Sequence, residues 1–406
     1  MKILHTSDWH LGKRLEQCER TDEHQHFLDW LLTFIRDQQI EVLLIAGDVF
    51  DTGSPSNAAL KQYYDFLWAL RATHCREVVI IGGNHDSVAT LNAPQSLLKY
   101  FSVHVVGGVP AEFTEQIISI KNDAGSTELV ICAVPFLRDK DVRLSVPGET
   151  HEERETRLKQ GICAHYQQLV NHIAPYKQQQ IPVIAMGHLF AAGGSTSESE
   201  KEIHVGNLGQ ICGDQFPEEF DYIALGHLHR PQIVNKMAHI RYSGSPIPLS
   251  FSEVEDSKLV LVLDFVAGKL TNLTEVEVPC CRKLIRLKGD LDEVKRRIIS
   301  LNDTNSLYPA WVEVQVETEN FIPDLDYQLT QITEDLPHVE RVFTRQIRLK
   351  SPIALHEDSF DELVNLQELD PKEVFQKKCT SIYPEADFSD LLATFDELLE
   401  KMGQAD

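Results

Sequence analysis

Five stretches of this 406-residue chain share one pattern: a short apolar run, usually a glycine, then Asp, Asn or His. The clearest is 41–53, EVLLIAGDVFDTG, where Val42, Leu43, Leu44, Ile45 and Ala46 continue without a polar interruption and stop at Gly47-Asp48. A run of this length suits a strand covered on both faces. Ile3 and Leu4 lead into His5-Thr6-Ser7-Asp8-Trp9-His10, and 77–81 (EVVII) leads into Gly82-Gly83-Asn84-His85-Asp86. Residues 182–186 (PVIAM) lead into Gly187-His188, and 222–225 (YIAL) into Gly226-His227-Leu228-His229. Helical spacing fills the gaps between the first three runs, as at 24–37 with Phe27, Leu31, Leu32 and Ile35. Strands alternating with helices predict an α/β chain with parallel pairing, its strand ends gathered along one edge.

Helical periodicity also covers 56–72, with Ala59, Tyr63, Phe66, Leu67 and Leu70 on one face, and 91–101, with Leu97, Leu98 and Phe101. A core strand is expected at 129–135, a polar surface excursion at 138–157, and a helix at 159–173. The loop 193–202 (GGSTSESEKE) follows His188 directly. Residues 258–265 and 270–278 alternate as strands and are expected to close the second sheet of a sandwich. After Pro279 the pattern reads β-α-β-α-β through 284–287, 291–301, 310–316, 325–336 and 339–348. Beyond Pro352, Phe388, Leu391, Leu392, Phe395, Leu398, Leu399 and Met402 recur at three and four residues, an amphipathic helix that must dock on something. Three parts follow: 1–279, 280–350 and 351–406.

Composition is that of a globular protein, 42% hydrophobic and 25% charged, and no apolar run approaches a membrane span. Eight cysteines are scattered without a Cys-x-x-Cys pair, and the metal-type motif begins within ten residues of Met1. These features predict a reduced, cytoplasmic protein with no signal peptide. The net charge of −24 is awkward for a partner of nucleic acid, but it is unevenly spread. Residues 351–406 hold 4 basic against 14 acidic side chains, whereas 282–350 hold 11 against 12, with clusters at 282–297 and 341–350. Those clusters suit DNA contact and a solvated face equally well.

The chemistry of the five motifs is that of a two-metal site. A carboxylate can bridge two cations, and imidazole and amide donors complete the coordination without adding negative charge. Mixed N/O donors without thiolate suit Mn, Fe or Zn. Two such cations about 3.5–4 Å apart would clamp the attacking and leaving oxygens of a phosphoryl group and acidify water.

The series Asp8-x-His10, Gly47-Asp48, Gly83-Asn84-His85-Asp86, Gly187-His188 and Gly226-His227-x-His229 resembles the calcineurin-like binuclear metallophosphoesterases. The strings HTSDWHLG, AGDVFDTGSPS, GNHDS, ALGHLHRPQ and YSGSPIPLSF look like the SbcD family of nuclease subunits, densely to about residue 255. The resemblance implies a metallophosphoesterase β-sandwich flanked by helices (1–279), a small α+β capping domain that guides DNA (280–350), and a C-terminal helical tail that docks on an SbcC-type ATPase (351–406). It assigns one metal to Asp8, His10, Asp48 and His229 and the other to Asp48, Asn84, His188 and His227. His85 becomes the histidine that stabilises the transition state or protonates the leaving oxygen, and Asp86 the residue that orients it. Asp51, where archaeal and eukaryotic relatives carry histidine, is expected to act from behind the ligands. The implied metals are two divalent ions, manganese first and magnesium in part. The implied function is a DNA exonuclease on duplex ends and endonuclease on hairpins and single strands, paired with the ATPase. Homodimerisation through the helices near 56–72 and 91–101 is also implied. The motifs alone equally permit a phosphoesterase for small substrates, or a non-catalytic scaffold with a vestigial site.

Overall fold

The computed structural model describes residues 1–144, 148–191, 211–301, 306–318, 322–348, 391–392 and 394–395. The chain forms two compact units, Met1–Ile347 and Arg348–Asp406. Of the stripe expected at 388–402, only Leu391, Leu392, Thr394 and Phe395 are described, and they are helical. The rest of that stripe and the 193–202 loop lie outside the described residues.

Val42–Ala46 is buried at every position and lies inside a six-stranded sheet. The order is Lys269–Glu277, Leu259–Val266, Lys2–Thr6, Val42–Ala46, Glu77–Ile81, Val103–Val106. Lys2–Thr6, Val42–Ala46, Glu77–Ile81 and Val103–Val106 pair in parallel. A second six-stranded sheet runs Gln232–Ile233, Ile240–Tyr242, Tyr222–Gly226, Val183–His188, Thr127–Ala133, Ile117–Lys121. The hairpin expected to close the second sheet belongs to the first, because Leu259–Val266 pairs antiparallel with Lys2–Thr6, Lys2 opposite Asp264. The physical reason is the open flank of Lys2–Thr6. A strand buried on both faces cannot leave one edge of its backbone groups without partners.

The period of two along each strand sorts its side chains into separate cores. Val42, Leu44 and Ala46 face the second sheet, where they meet Ile131, Ile184, Met186 and Ala224. Leu43 and Ile45 face outward and pack with Phe27, Leu31 and Ile35 of helix Thr21–Asp37 and with Tyr63 and Phe66 of helix Asn57–Ala69. On the far side, Val130, Val183 and Ile223 lie under Leu158, Ile162, Tyr166 and Leu169 of helix His151–Gln178. Four layers result, α/β/β/α, with the parallel strand Val42–Ala46 covered on both faces.

The helix predicted at 91–101 is broken into Val88–Asn92, Gln95–Leu98 and a 3-10 turn Lys99–Phe101. Pro94 has no N–H to continue the ladder, and Ser102 ends the segment at φ 57. Helix His151–Gln178 exceeds its predicted span because Thr150 and Glu153 form a reciprocal capping box at its start.

Among the described residues of 282–348 the expected β-α-β-α-β order is present, with strands Arg282–Gly289, Tyr308–Thr318 and Val339–Arg348, Tyr308–Thr318 central, and helices Leu291–Ser300 and Leu325–Thr333. Leu284, Trp311 and Phe343 pack against Leu15 and Phe251 of the sandwich. Beside them Arg20 and Arg282 both hold Glu23, at 3.1 and 3.0 Å, and the Arg282 guanidinium lies 4.7 Å from the Trp311 ring centre. Arg282 is therefore a buried structural cation. Two more members of the basic clusters, Arg286 and Arg345, bind the buried Glu313.

Candidate metal centre

The five ligand-bearing ends come from two sheets. Asp8, His10, Asp48, Asn84 and His85 follow Lys2–Thr6, Val42–Ala46 and Glu77–Ile81 in the first, while His188, His227 and His229 end or follow Val183–His188 and Tyr222–Gly226 in the second. Parallel strands in both sheets point the same way, so the ends meet at one rim. The chain turns sharply there: Asp8, His10, Asp48 and His227 have φ of 54, 47, 48 and 104. That left-handed region is costly for a histidine and is held only where surrounding contacts fix it. Two glycines make room. A Cβ on Gly83 would lie 2.2 Å from Asp48 Oδ1, and one on Gly47, itself at φ +90, would lie 2.2 Å from His188 Nδ1.

Asp48 is central. Its Oδ2 is 3.5 Å from His10 Nε2 and 3.4 Å from His188 Nε2, and its Oδ1 accepts the His85 N–H at 2.8 Å. Asn84 Oδ1 lies 3.0 Å from His188 Nε2 and 3.2 Å from His227 Nδ1. Asp8 accepts from the His227 N–H at 2.9 Å and the Ser7 hydroxyl at 2.6 Å. Asp8, His10 and His229 form one cluster whose ligand-type atoms lie within 4.8 Å of one another, and Asp8, Asp48 and His188 form another. His188 Nδ1 donates to the Ala46 carbonyl at 2.9 Å, which fixes the tautomer with a lone pair on Nε2. His10 Nε2 is buried without a hydrogen-bonding partner. An orphaned imidazole nitrogen among carboxylates, an amide oxygen and further imidazoles is a donor set that fits divalent cations.

The electrostatics carry the same signature. Burial pushes the Asp8 carboxyl up to about 7, with the Asp48 charge adding to it. Burial acts upward on Asp48 too, but the charge and hydrogen bond of His188 and the charge of His10 outweigh it and hold Asp48 well below the usual range. His188 is raised to about 9, its desolvation overcome by Asp48, while burial and the neighbouring His188 drive His227 well below its ordinary value. One imidazole thus takes a proton that a cation would replace, and a second is kept neutral as a donor.

Of the supporting residues, Asp51 Oδ1 lies 3.2 Å from His10 Nδ1 and 3.1 Å from Lys13 Nζ. The Asp51 main-chain carbonyl accepts from His85 Nδ1 at 2.7 Å. Asp86, expected to orient His85, accepts from the Val49, Phe50 and Gly83 amides at 3.1, 3.0 and 2.9 Å, and so ties two metal loops together. His85 stands in a third cluster with His10 and Asp51. Sequence reasoning missed Glu253 and Lys258, which bear on His229: Glu253 Oε1 is 3.5 Å from its Nδ1, and Lys258 Nζ donates to its carbonyl at 3.0 Å. Neither follows a strand in the shared pattern. Glu253 stands two residues past the string ending at Phe251, and Lys258 opens the strand expected at 258–265, but neither position signals contact with His229.

A sandwich with this rim is the architecture of calcineurin-like phosphoesterases, and the family described as Calcineurin-like phosphoesterase matches residues 1–231. A second family, described as Type 5 capsule protein repressor C-terminal domain, matches 280–382. The chain is 38% identical over 379 residues, 93% of its length and 92% of the relative's, to the SbcD subunit of the SbcCD nuclease of Escherichia coli. It is 31% identical over 367 residues, 89% of this chain and 91% of the other, to the SbcD subunit of the same nuclease in Bacillus subtilis. The chain belongs to the SbcD family of calcineurin-like phosphoesterases.

Proposed function

We propose that this chain is a metal-dependent DNA nuclease that hydrolyses phosphodiester bonds and works with an SbcC-type ATPase in DNA repair and recombination. The observation that carries the reading is the buried rim itself, where seven ligand-type side chains converge and one of them, His10, has an imidazole nitrogen without a hydrogen-bonding partner. Kinship along 93% of the chain with a protein named as a nuclease subunit supports it. Asp8, His10, Asp48 and His229 would hold one divalent ion, and Asp48, Asn84, His188 and His227 the other. Manganese is the first choice for this donor set, with magnesium serving in part. When bound, the ions polarise the phosphoryl oxygens and acidify the attacking water.

His85 acts on the phosphate. The Asp51 carbonyl can only accept, so His85 keeps a proton on Nδ1, and protonation of Nε2 makes the ring a donor toward a phosphate or leaving oxygen. Asp51 holds His10 in the tautomer that frees Nε2. Cleavage is exonucleolytic on duplex ends and endonucleolytic on hairpins and single strands. Residues 280–350 cap the site and guide DNA, and 351–406 form the docking tail for the ATPase. A second copy of the chain covers the exposed Trp68, Leu97 and Tyr100. The protein works in the cytoplasm; among the described residues no helix is long and apolar enough to cross a membrane.

The test is a manganese-dependent assay on end-labelled duplex and hairpin DNA beside a small chromogenic phosphodiester, with and without the ATPase. Cleavage of DNA, extended on duplex ends by the ATPase and ATP, is expected. Turnover of the small ester alone would overturn the nuclease reading.

A further inference from the structure

Glu253 is fully buried, on a 3-10 turn, Phe251–Glu253, 24 residues beyond His229. A carboxylate in such a place is kept only if its charge is matched and its oxygens are occupied. Lys258, also buried, supplies the charge: its Nζ lies 2.6 Å from Glu253 Oε2. Oε2 also accepts from the Leu249 N–H at 3.1 Å, and Oε1 faces His229 Nδ1 at 3.5 Å.

The contacts converge on one residue. Lys258 Nζ donates to the His229 carbonyl at 3.0 Å and to Ser245 Oγ at 2.9 Å, and the Ser245 N–H donates to the same carbonyl at 3.1 Å. Main chain and ring of His229 are therefore gripped by the same ion pair. With Nδ1 turned to Glu253, the opposite ring nitrogen is Nε2, and His229 stands within 4.8 Å of Asp8 and His10 in one ligand cluster. A carboxylate behind an imidazole fixes its tautomer and raises the basicity of the other nitrogen.

We propose that Glu253 and Lys258 are a positioning pair that holds His229, ring and backbone, as a metal donor, so that one of the two metal equivalents depends on this salt bridge. The proposal rests on the metal-site reading above and adds two residues outside the seven proposed ligands. It also separates the two equivalents: His188 is fixed by the Ala46 carbonyl, His10 by Asp51, and His229 by an ion pair from a different part of the chain.

The test uses the full chain and manganese alone. Wild type is titrated with Mn2+ and followed by equilibrium binding and by electron paramagnetic resonance, which distinguishes a spin-coupled pair from a single ion. Glu253→Gln should keep one equivalent near wild-type affinity, weaken the other by roughly 10–100-fold, and replace the coupled spectrum with that of a single ion. Glu253→Gln combined with Lys258→Met removes the unpaired ammonium. It should recover thermal stability lost in the single variant without recovering the weakened equivalent. Two equivalents of wild-type affinity in a folded Glu253→Gln or double variant would overturn the proposal and leave a purely structural salt bridge. A wild type that binds no pair of ions would instead sink the metal-site reading beneath it.

Discussion

At the scale of single residues, the proposed division of the rim into groups that hold cations and groups that act beside them can be tested by substitution. His85→Ala is expected to retain both metals while DNA cleavage falls by about 10² or more, the usual loss for a transition-state donor or acid. Metal analysis alongside the rate checks it, since loss of manganese would make His85 a ligand. Asp48→Asn should differ by emptying at least one site, because the central carboxylate charge faces His10 and His188 together. The residues that meet at the rim were legible in the sequence because five strand ends repeat one apolar-then-polar pattern. Glu253 and Lys258 were not, because their role exists only once a turn has folded back on His229. Two other buried histidines give a pH dependence. Burial lowers His5 and His24 to about 3, so the folded chain refuses a proton that the unfolded chain takes near 6.5. Their stabilisation is complete above pH 6.5 and is lost as pH falls toward 3, by about 2 kcal/mol per histidine at pH 5. Urea unfolding at pH 7.5 and 5 measures the drop, and His5→Gln should shrink it by one histidine's share.

At the scale of elements, the sequence specified what each segment is better than where it goes. Period-two alternation identified the strands at 258–265 and 270–278, but alternation carries no information about the neighbouring strand, and the need of Lys2–Thr6 for a partner decided it. Helical spacing across 91–101 hid the break at Pro94, since hydrophobic periodicity is blind to a missing N–H. The broken segment leaves Leu97 and Tyr100 at 61% and 87% exposure, near Trp68, whose ring centre is 6.2 Å from that of Phe101. A patch of this kind on a helix pair suits a second copy of the same surface. The proposed pairing of two copies through this patch predicts that wild type sediments as a dimer and that Trp68→Glu with Tyr100→Glu sediments as a monomer with unchanged circular dichroism. A persistent dimer would place the interface elsewhere.

At the scale of the whole molecule, charge is divided between parts of the chain, and the docking role proposed for 351–406 belongs to the acidic part. The net −10 of residues 351–406 lies beyond the unit that carries the rim. Deleting 351–406 should leave manganese-dependent cleavage of short single strands and the thermal midpoint nearly unchanged, and abolish ATP-stimulated cleavage of duplex ends. Full-affinity co-purification of the truncated chain with the ATPase would defeat this. The exposed members of the basic clusters at 282–297 and 341–350 would then be the surface to mutate next, Arg282 excepted, since it is buried against Glu23 and Trp311.

The pairing of the first strand also sets a timetable for synthesis. The amino group of Met1 binds the Phe265 carbonyl at 2.9 Å, and Lys2–Thr6 takes Leu259–Val266 along its flank. On a ribosome adding about 5–20 residues per second, the opening strand waits roughly 13–50 s for that neighbour to be made. The loop bearing Asp8 and His10 grows out of the same strand, and His229 is translated only shortly before the neighbour. A nascent chain therefore holds the last residue of the rim, His229, before the flank of its first strand is filled by Leu259–Val266, so strand pairing rather than the supply of rim residues is the later event.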